Sequence, residues 1–195
     1  MAVRRSNDKD QNSVRLIGGR WGGRKIRFAD GEGLRPTPSR VRETLFNWLM
    51  HDVRDARVLD LFAGSGALAL EALSRGARQA VLVDRSAVVC TQLASELAGM
   101  AGANGSVLKR DATEFCARRA DAPFDIVFLD PPFHRGLLAP VMRALEDNGF
   151  LAENAWIYVE SESAPAMTAV PSNWRLHRQQ DAGQVCCSLF ARDGK

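Results

Sequence analysis

The chain has 195 residues, 46% hydrophobic and 25% charged, with a formal net charge of +3. This fits one globular domain, or one domain with an appendage, and excludes a wholly disordered, fibrous or collagen-like chain. Charge interrupts every apolar stretch well short of the ~18 residues that a membrane span requires.

The opening MAVRRSNDKDQNS has no apolar core and no small-residue cleavage pattern, so no secretory signal is expected. Cys90, Cys116, Cys186 and Cys187 form no CxxC pair and are too few to staple a chain this long, which points to a reduced, cytoplasmic protein. The charge is unevenly spread. Residues 1–42 hold 11 Lys/Arg against 4 acids, and the rest holds 15 against 19. Most of those 11 bases are arginine, whose planar fork suits phosphates and base edges. Either a solvated basic tail or a nucleic-acid-contacting arm on a neutral body fits this balance.

In chain order, the first dozen residues are polar, charged and expected to be disordered. Residues 14–19 and 24–28 read as a hairpin whose Gly-rich turn exposes Trp21. Thr37 and Pro38 read as the N-cap and first position of a helix reaching Met50, with Val41, Leu45, Phe46, Trp48 and Leu49 on its apolar face. From residue 57 strands and helices alternate. Strands are expected at 57–62, 80–84, 105–110, 124–129, 155–160, 174–180 and 184–191, with helices at 67–75, 86–100, 113–119 and 136–147. The first five strands are short apolar runs of the kind buried between helical layers. The last two are joined by Asp181-Ala182-Gly183, too short for a crossover, and so form an antiparallel hairpin. The fold class is α/β: a Rossmann-like, mostly parallel seven-stranded sheet with a C-terminal antiparallel pair and a small N-terminal hairpin.

Two constellations carry chemistry. In the first, the strand ending at Asp60 runs through Phe62, Ala63, Gly64, Ser65 and Gly66 into a helix, whose free N–H groups can face a ligand. Asp84 closes the next strand 18 residues after Gly66, where open α/β sheets place a ribose-binding acid, and Asp111 follows the third strand. Strand-end aspartates also cap turns and helices, but three in register favour a ligand crevice. The second constellation is Asp130-Pro131-Pro132-Phe133 after the fourth strand. Its prolines remove two N–H donors, so the Asp130 carboxylate and the Pro131 carbonyl present two acceptors and no donor. A ring-bound amine would have both hydrogens accepted there, with Phe133 free to stack on the ring. The plain alternative is a strand-ending turn with Phe133 in the core. His51, His134 and His177 are scattered without ligand spacing, so no metal is expected. Core positions are expected for Trp48 and Trp156.

On these residues the chain resembles the class I S-adenosylmethionine-dependent methyltransferases. Asp60-Leu-Phe-Ala-Gly64-Ser-Gly66 is similar to their methionine-pocket motif, and Asp84, followed by Arg85, to their ribose acid. Asp111-Ala112 is similar to the adenine-reading pair, and Asp130-Pro-Pro-Phe133 to the motif of enzymes that methylate exocyclic or amide nitrogens. Residues 15–19, 23–25, 34–37, 40–47 and 59–77 resemble the bacterial 16S rRNA guanine-N2 methyltransferases of the RsmD type, and the likeness covers roughly residues 14–160. Two positions depart from the pattern: Asp84, where Glu is common, and Pro38, where a polar residue is expected.

The resemblance implies methyl transfer from S-adenosylmethionine, leaving S-adenosylhomocysteine, to the N2 amine of one guanine. The substrate implied is 16S rRNA in assembled or assembling small subunits. Asp130, Pro131 and Phe133 would do the chemistry on a flipped base. Arg15, Arg20, Arg24, Lys25 and Arg27, with Arg4 and Arg5, are candidate phosphate contacts, and Trp21 a candidate stacking residue. Arg35 and Arg40 are candidates for RNA or the cofactor carboxylate. The division expected is a disordered basic tail (1–13), an RNA-contacting hairpin (14–36) and a methyltransferase domain (37–195), acting as a monomer. Alternatives left open are an N6-adenine DNA methyltransferase, protein glutamine methylation, a non-catalytic RNA-binding assembly factor and an NAD-dependent dehydrogenase.

Overall fold

The computed structural model describes residues 12–28, 37–162 and 170–194. Residues 1–11 of the expected tail, with Arg4 and Arg5, lie outside the described residues, as does Arg35. Asn12 and Ser13 are not disordered tail, since Asn12 accepts from Phe28 N–H and Ser13 pairs with Arg27. A two-stranded antiparallel piece, β1 (Ser13–Arg15) and β2 (Lys25–Arg27), precedes helix α1 (Ser39–Trp48). The remaining order is β3 (Arg57–Asp60), α2 (Ala67–Ser74), β4 (Gln79–Asp84), α3 (Ala87–Ala98), β5 (Gly105–Lys109), α4 (Ala112–Cys116), β6 (Phe124–Leu129), α5 (Leu138–Asp147), β7 (Leu151–Ser161), β8 (Trp174–Ala182) and β9 (Val185–Arg192).

The large sheet has the order β5-β4-β3-β6-β7-β9-β8, with β5 through β7 parallel and the last two strands antiparallel. Alternation along each strand divides the core into two layers. Val58, Ala80, Leu82, Ile126, Phe128 and Tyr158 pack under α1, α2, α3 and the β1–β2 piece. Leu59, Val81, Val83, Val127, Leu129, Ile157 and Val159 pack under α4 and α5. Among the described residues no helix is long and apolar enough to cross a membrane.

Several boundaries differ from those the sequence suggests. β7 begins at Leu151, because a register irregularity between Phe124 and Ile126 lets Phe124 pair with Leu151 before the main ladder starts at Trp156. The turn between β8 and β9 is Gly183-Gln184, with Gly183 at φ +66° and Ala182 paired to Val185. Thr37 is not the N-cap of α1. Pro38 holds that position with no side-chain cap, because the Thr37 hydroxyl is taken by Glu160. Trp48 and Trp156 are half-buried rather than core, and Trp156 packs on His177 with ring centroids 4.9 Å apart. Trp174 is buried and its indole N–H donates to Glu146 at 3.0 Å.

The hairpin is not a free arm. Val14, Leu16 and Ile26 are buried in the same layer as α1 and α2. Glu71 of α2, fully buried, accepts from the N–H groups of Ile17 (2.7 Å) and Gly18 (2.9 Å) and from Arg75 Nε (2.7 Å). Ser74 Oγ accepts from Trp21 N–H and donates to the Gly18 carbonyl. Trp21 is therefore half-buried against the core rather than exposed at a turn.

Candidate active site

The parallel strands end on one edge, and the acidic residues collect there. Asp60 closes β3, opposite Leu82 of β4 and Phe128 of β6. The loop that follows is fixed by backbone bonds: Leu61 N–H to the Phe128 carbonyl, Ala63 N–H to the Val83 carbonyl, and Gly66 N–H to the Ala63 carbonyl. Gly64 and Gly66 both take positive φ, +48° and +73°. Gly66 caps α2, and a Cβ there would sit 2.5 Å from Leu93 Cδ2 and 3.0 Å from Leu70 Cδ1. Its missing side chain thus seats α2 against α3 and does not open space for a ligand. Ser65 and Ala63 are buried, and Phe62 is half-buried against the α4–α5 layer.

Asp84 stitches the loop to β4. Its Oδ2 accepts from Gly64 N–H (3.1 Å) and its Oδ1 from Ser86 N–H (2.8 Å). A carboxylate offers about four lone-pair sites, so two ribose hydroxyls could still donate to it. Asp111 is the N-cap of α4, and its Oδ1 accepts from the Thr113 N–H and hydroxyl and from the Glu114 N–H. Those bonds, led by the Thr113 hydroxyl and helped by Arg85, hold its carboxyl below the usual range. Capping is therefore one settled duty of Asp111. Ala112, the first residue of α4, is buried and Arg85 is exposed.

Asp130 follows the last residue of β6, with Pro131 buried beneath it and Pro132 exposed. Phe133 is 36% exposed, among the few large apolar side chains left to solvent in the described residues. That is the placement a stacking ring needs, and it rules out the core alternative for Phe133. His134 takes φ +60°, its N–H donating to Glu162 Oε1 (2.9 Å) and its Nδ1 lying 3.2 Å from the same oxygen. This ties the turn after β6 to the end of β7.

A fifth acid at this edge escapes the sequence reading. Glu160 of β7 is buried, and its Oε1 accepts from the Thr37 hydroxyl (2.8 Å) and the Tyr158 hydroxyl (3.0 Å). The signal was the same one that marked Asp60 and Asp84: an apolar strand ending in a carboxylate. Burial dominates the electrostatics of Asp60, Asp130 and Glu160. It pushes Asp60 up to about 7, with Asp84 and Glu160 adding to the shift and the Phe62 and Ala69 N–H groups opposing it. Burial, then Glu160 and Asp60, hold Asp130 well above the ordinary carboxylate range. Glu160 is raised by burial and drawn back by its two hydroxyl donors. Such an edge favours a cation arriving among the acids. It is also rich in acceptors for amine and hydroxyl hydrogens.

The basic candidates lie elsewhere. Arg20 and Trp21 stack on each other, 5.1 Å from guanidinium to ring centroid, beside Ser74 at the C-terminal end of α2. The glycine loop is at the other end of that helix, roughly 12 Å away at 1.5 Å per residue. Arg24 is committed to α3, with Nη1 donating to the Gly99 carbonyl (2.6 Å) and Nη2 lying 3.8 Å from Glu96. Arg15, Lys25 and Arg27 are exposed on the hairpin, and Arg40 is exposed in the first turn of α1. Among the described residues no group of three His, Cys, Asp or Glu is arranged to hold a metal ion.

Comparison with known proteins agrees with this geometry. The family model described as "Conserved hypothetical protein 95" matches residues 14–191. The chain is 49% identical over 193 residues to Ribosomal RNA small subunit methyltransferase D of Escherichia coli K12, covering 99% of this chain and 97% of that one. It is 41% identical over 184 residues to the Haemophilus influenzae protein of the same name, covering 92% and 94%. The solved structure of yhhF from Escherichia coli is 50% identical, with a TM-score of 0.86 over 94% of this chain and 100% of that chain. SMU.776, solved in complex with SAH, shares the fold at 20% identity and TM-score 0.67, over 86% of this chain and 53% of that chain. The chain therefore belongs to the ribosomal RNA small subunit methyltransferase D family and is an S-adenosylmethionine-dependent methyltransferase.

Proposed function

We propose that the protein methylates the exocyclic N2 amine of one guanine in 16S rRNA, in assembled or assembling small subunits, as a monomer in the cytoplasm. The observation that carries this reading is the end of β6. Asp130 and the Pro131 carbonyl form a donor-free turn, and Phe133 stands exposed beside it. The names of the Escherichia coli and Haemophilus influenzae relatives support the rRNA substrate.

The residues at the strand edge fit S-adenosylmethionine, whose bound form supplies an electrophilic methyl group on a positively charged sulfur. Asp60 and residues 62–66 would hold its amino-acid part, Asp84 its ribose, and Asp111-Ala112 its adenine, with Arg85 nearby. On the substrate side, the base must leave its stack to reach the turn. Phe133 stacks on it, and Asp130 and the Pro131 carbonyl accept both amine hydrogens. This turns the nitrogen lone pair out of conjugation with the ring and towards the methyl group. The exposed hairpin bases Arg15, Arg20, Lys25 and Arg27, with Trp21, contact backbone away from the reacting base, while Arg40 lies nearer the edge.

The test is methyl transfer from labelled S-adenosylmethionine to small subunits lacking the modification, beside naked 16S rRNA and duplex DNA. N2-methylguanosine in small-subunit rRNA is expected. Methyladenine in DNA would replace the substrate, and absence of both transfer and cofactor binding would leave a non-catalytic RNA-binding factor.

A further inference from the structure

β6 and β7 run parallel with Phe128 opposite Tyr158 and Leu129 opposite Val159. The next position along each strand is Asp130 on one and Glu160 on the other, at neighbouring strand spacing of about 4.8 Å. Alternation turns both towards the layer that holds Phe128 and Tyr158. Asp60, opposite Phe128 on β3, faces the same way. Three carboxyl groups therefore share one face at the ends of β3, β6 and β7, Asp130 and Glu160 side by side and Asp60 one side-chain step back. The reaction described above gives Glu160 no task, yet Glu160 is anchored from two elements. The lead-in to α1 sends it the Thr37 hydroxyl, and its own strand sends it the Tyr158 hydroxyl, both to Oε1.

The titratable groups facing the pair are Asp60 from β3, Tyr158 from β7, and Cys187, which pairs with Glu160 from β9. None of these is a cation. Two hydroxyl donors on a single oxygen stabilise the Glu160 anion. A proton shared by two adjacent carboxyls then settles on Asp130, whose carboxylate receives no such donors among the described residues.

We propose that Glu160 is a positioning residue for methyl transfer, a fixed negative neighbour that makes Asp130 a stronger acceptor for the amine. The proposal rests on the reading of Asp130 as the amine acceptor. In the step it serves, one N2–H bond breaks, its electron pair stays on nitrogen, and the proton forms an O–H bond on Asp130. The nitrogen's other electron pair meanwhile forms its bond to the methyl carbon as the methyl–sulfur bond breaks. The pair of that broken bond returns to sulfur, which leaves as the neutral thioether of S-adenosylhomocysteine. A more basic acceptor draws that hydrogen harder as the new bond forms. The arriving positive charge of the methyl donor offsets the crowding of anions and leaves Asp130 ionised for the task.

Glu160→Gln keeps the size of the side chain and an oxygen for Thr37 and Tyr158 while deleting the charge. Two measurements on it test the proposal. The first is a carbon-13 NMR titration of the Asp130 carboxyl in the ligand-free protein. The second is the pH profile of single-turnover transfer to unmethylated small subunits. The expected result is that Asp130 titrates about one pH unit lower and that the acid limb of the rate moves with it. The plateau rate falls roughly tenfold, with S-adenosylhomocysteine affinity kept. Thr37→Val, which weakens the Glu160 anion from outside the strand, moves the Asp130 titration and the acid limb the same way by less, and Thr37→Ser restores them. An Asp130 titration and an acid limb unmoved in Glu160→Gln would overturn the proposal. Should wild-type protein form no N2-methylguanosine, the substrate reading falls, and the NMR titration alone then decides whether Glu160 tunes Asp130.

Discussion

The hydroxyl of Thr37 donates to Glu160 across 123 residues of chain, at 2.8 Å, and so ties the start of α1 to the end of β7. Both residues are buried, so the bond is made to an acceptor removed from water. Hydrogen bonds to charged acceptors contribute about 1.5–3 kcal/mol. Thr37→Val should lower stability by that order in urea unfolding at pH 8, and Thr37→Ser by much less. A loss in Thr37→Ser with none in Thr37→Val would show that the methyl group, not the hydroxyl, holds this position.

Asp60 should weaken the fold at neutral pH. Its carboxyl titrates at about 7 in the folded chain, chiefly because of burial, and near 3.9 when unfolded. The unfolded chain thus ionises first as pH rises, and the stability held below about pH 4 is lost progressively up to the folded value. Asp60→Asn should therefore raise the melting temperature at pH 7.5, with the gain shrinking towards pH 4, while cofactor affinity falls. A variant less stable than wild type at pH 7.5 would contradict this sign.

Glu71 clamps the hairpin to α2. It lies 3.6 Å from Arg42 Nη1, and both side chains are fully buried. Arg42 also donates to the Thr37 and Arg15 carbonyls. Removing one partner of a buried pair costs about 3–5 kcal/mol, which for a chain of this size lowers the melting temperature by roughly 10 °C. Glu71→Gln should show that loss, together with faster amide exchange at Ile17 and Gly18. Slow exchange there would mean that apolar packing alone docks the hairpin.

The exposed and the committed arginines should separate. Arg20→Ala with Arg27→Ala should weaken subunit binding and reduce the slope of log affinity against log salt by about 1.5, leaving cofactor affinity unchanged. Arg24→Ala should instead lower stability, since its guanidinium is spent on Gly99 and Glu96. An equal loss of RNA and cofactor affinity in the double variant would place the hairpin at the reaction site.

The sheet, its antiparallel ending and two of its chemical turns were legible because each rests on a local pattern. Short apolar runs ending in Asp60 and Asp84, the glycine turn and the Asp130-Pro-Pro-Phe133 tetrapeptide need no distant partner to be seen. What was not legible depends on partners far along the chain. Thr37-Pro38 has the form of a helix start, but Glu160 outbids the helix for the hydroxyl. Glu71 stands alone in the apolar stretch of α2, and its partners Ile17, Gly18 and Arg42 lie in other elements. A lone carboxylate on an otherwise apolar helix was the signal that something must meet it. The Gly-rich turn marks the hairpin and its charge suggests an RNA-contacting arm, whereas Val14, Leu16 and Ile26 decide where it docks.

The central claim is that Asp130 acts on the amine and does not merely hold the fold or the cofactor. Its most direct test is single-turnover methyl transfer by Asp130→Asn on unmethylated small subunits, with S-adenosylmethionine affinity measured on the same protein. The account predicts a rate lower by about 10²–10⁴-fold with affinity within a few-fold of wild type. A rate close to wild type, with N2-methylguanosine still formed, would contradict it.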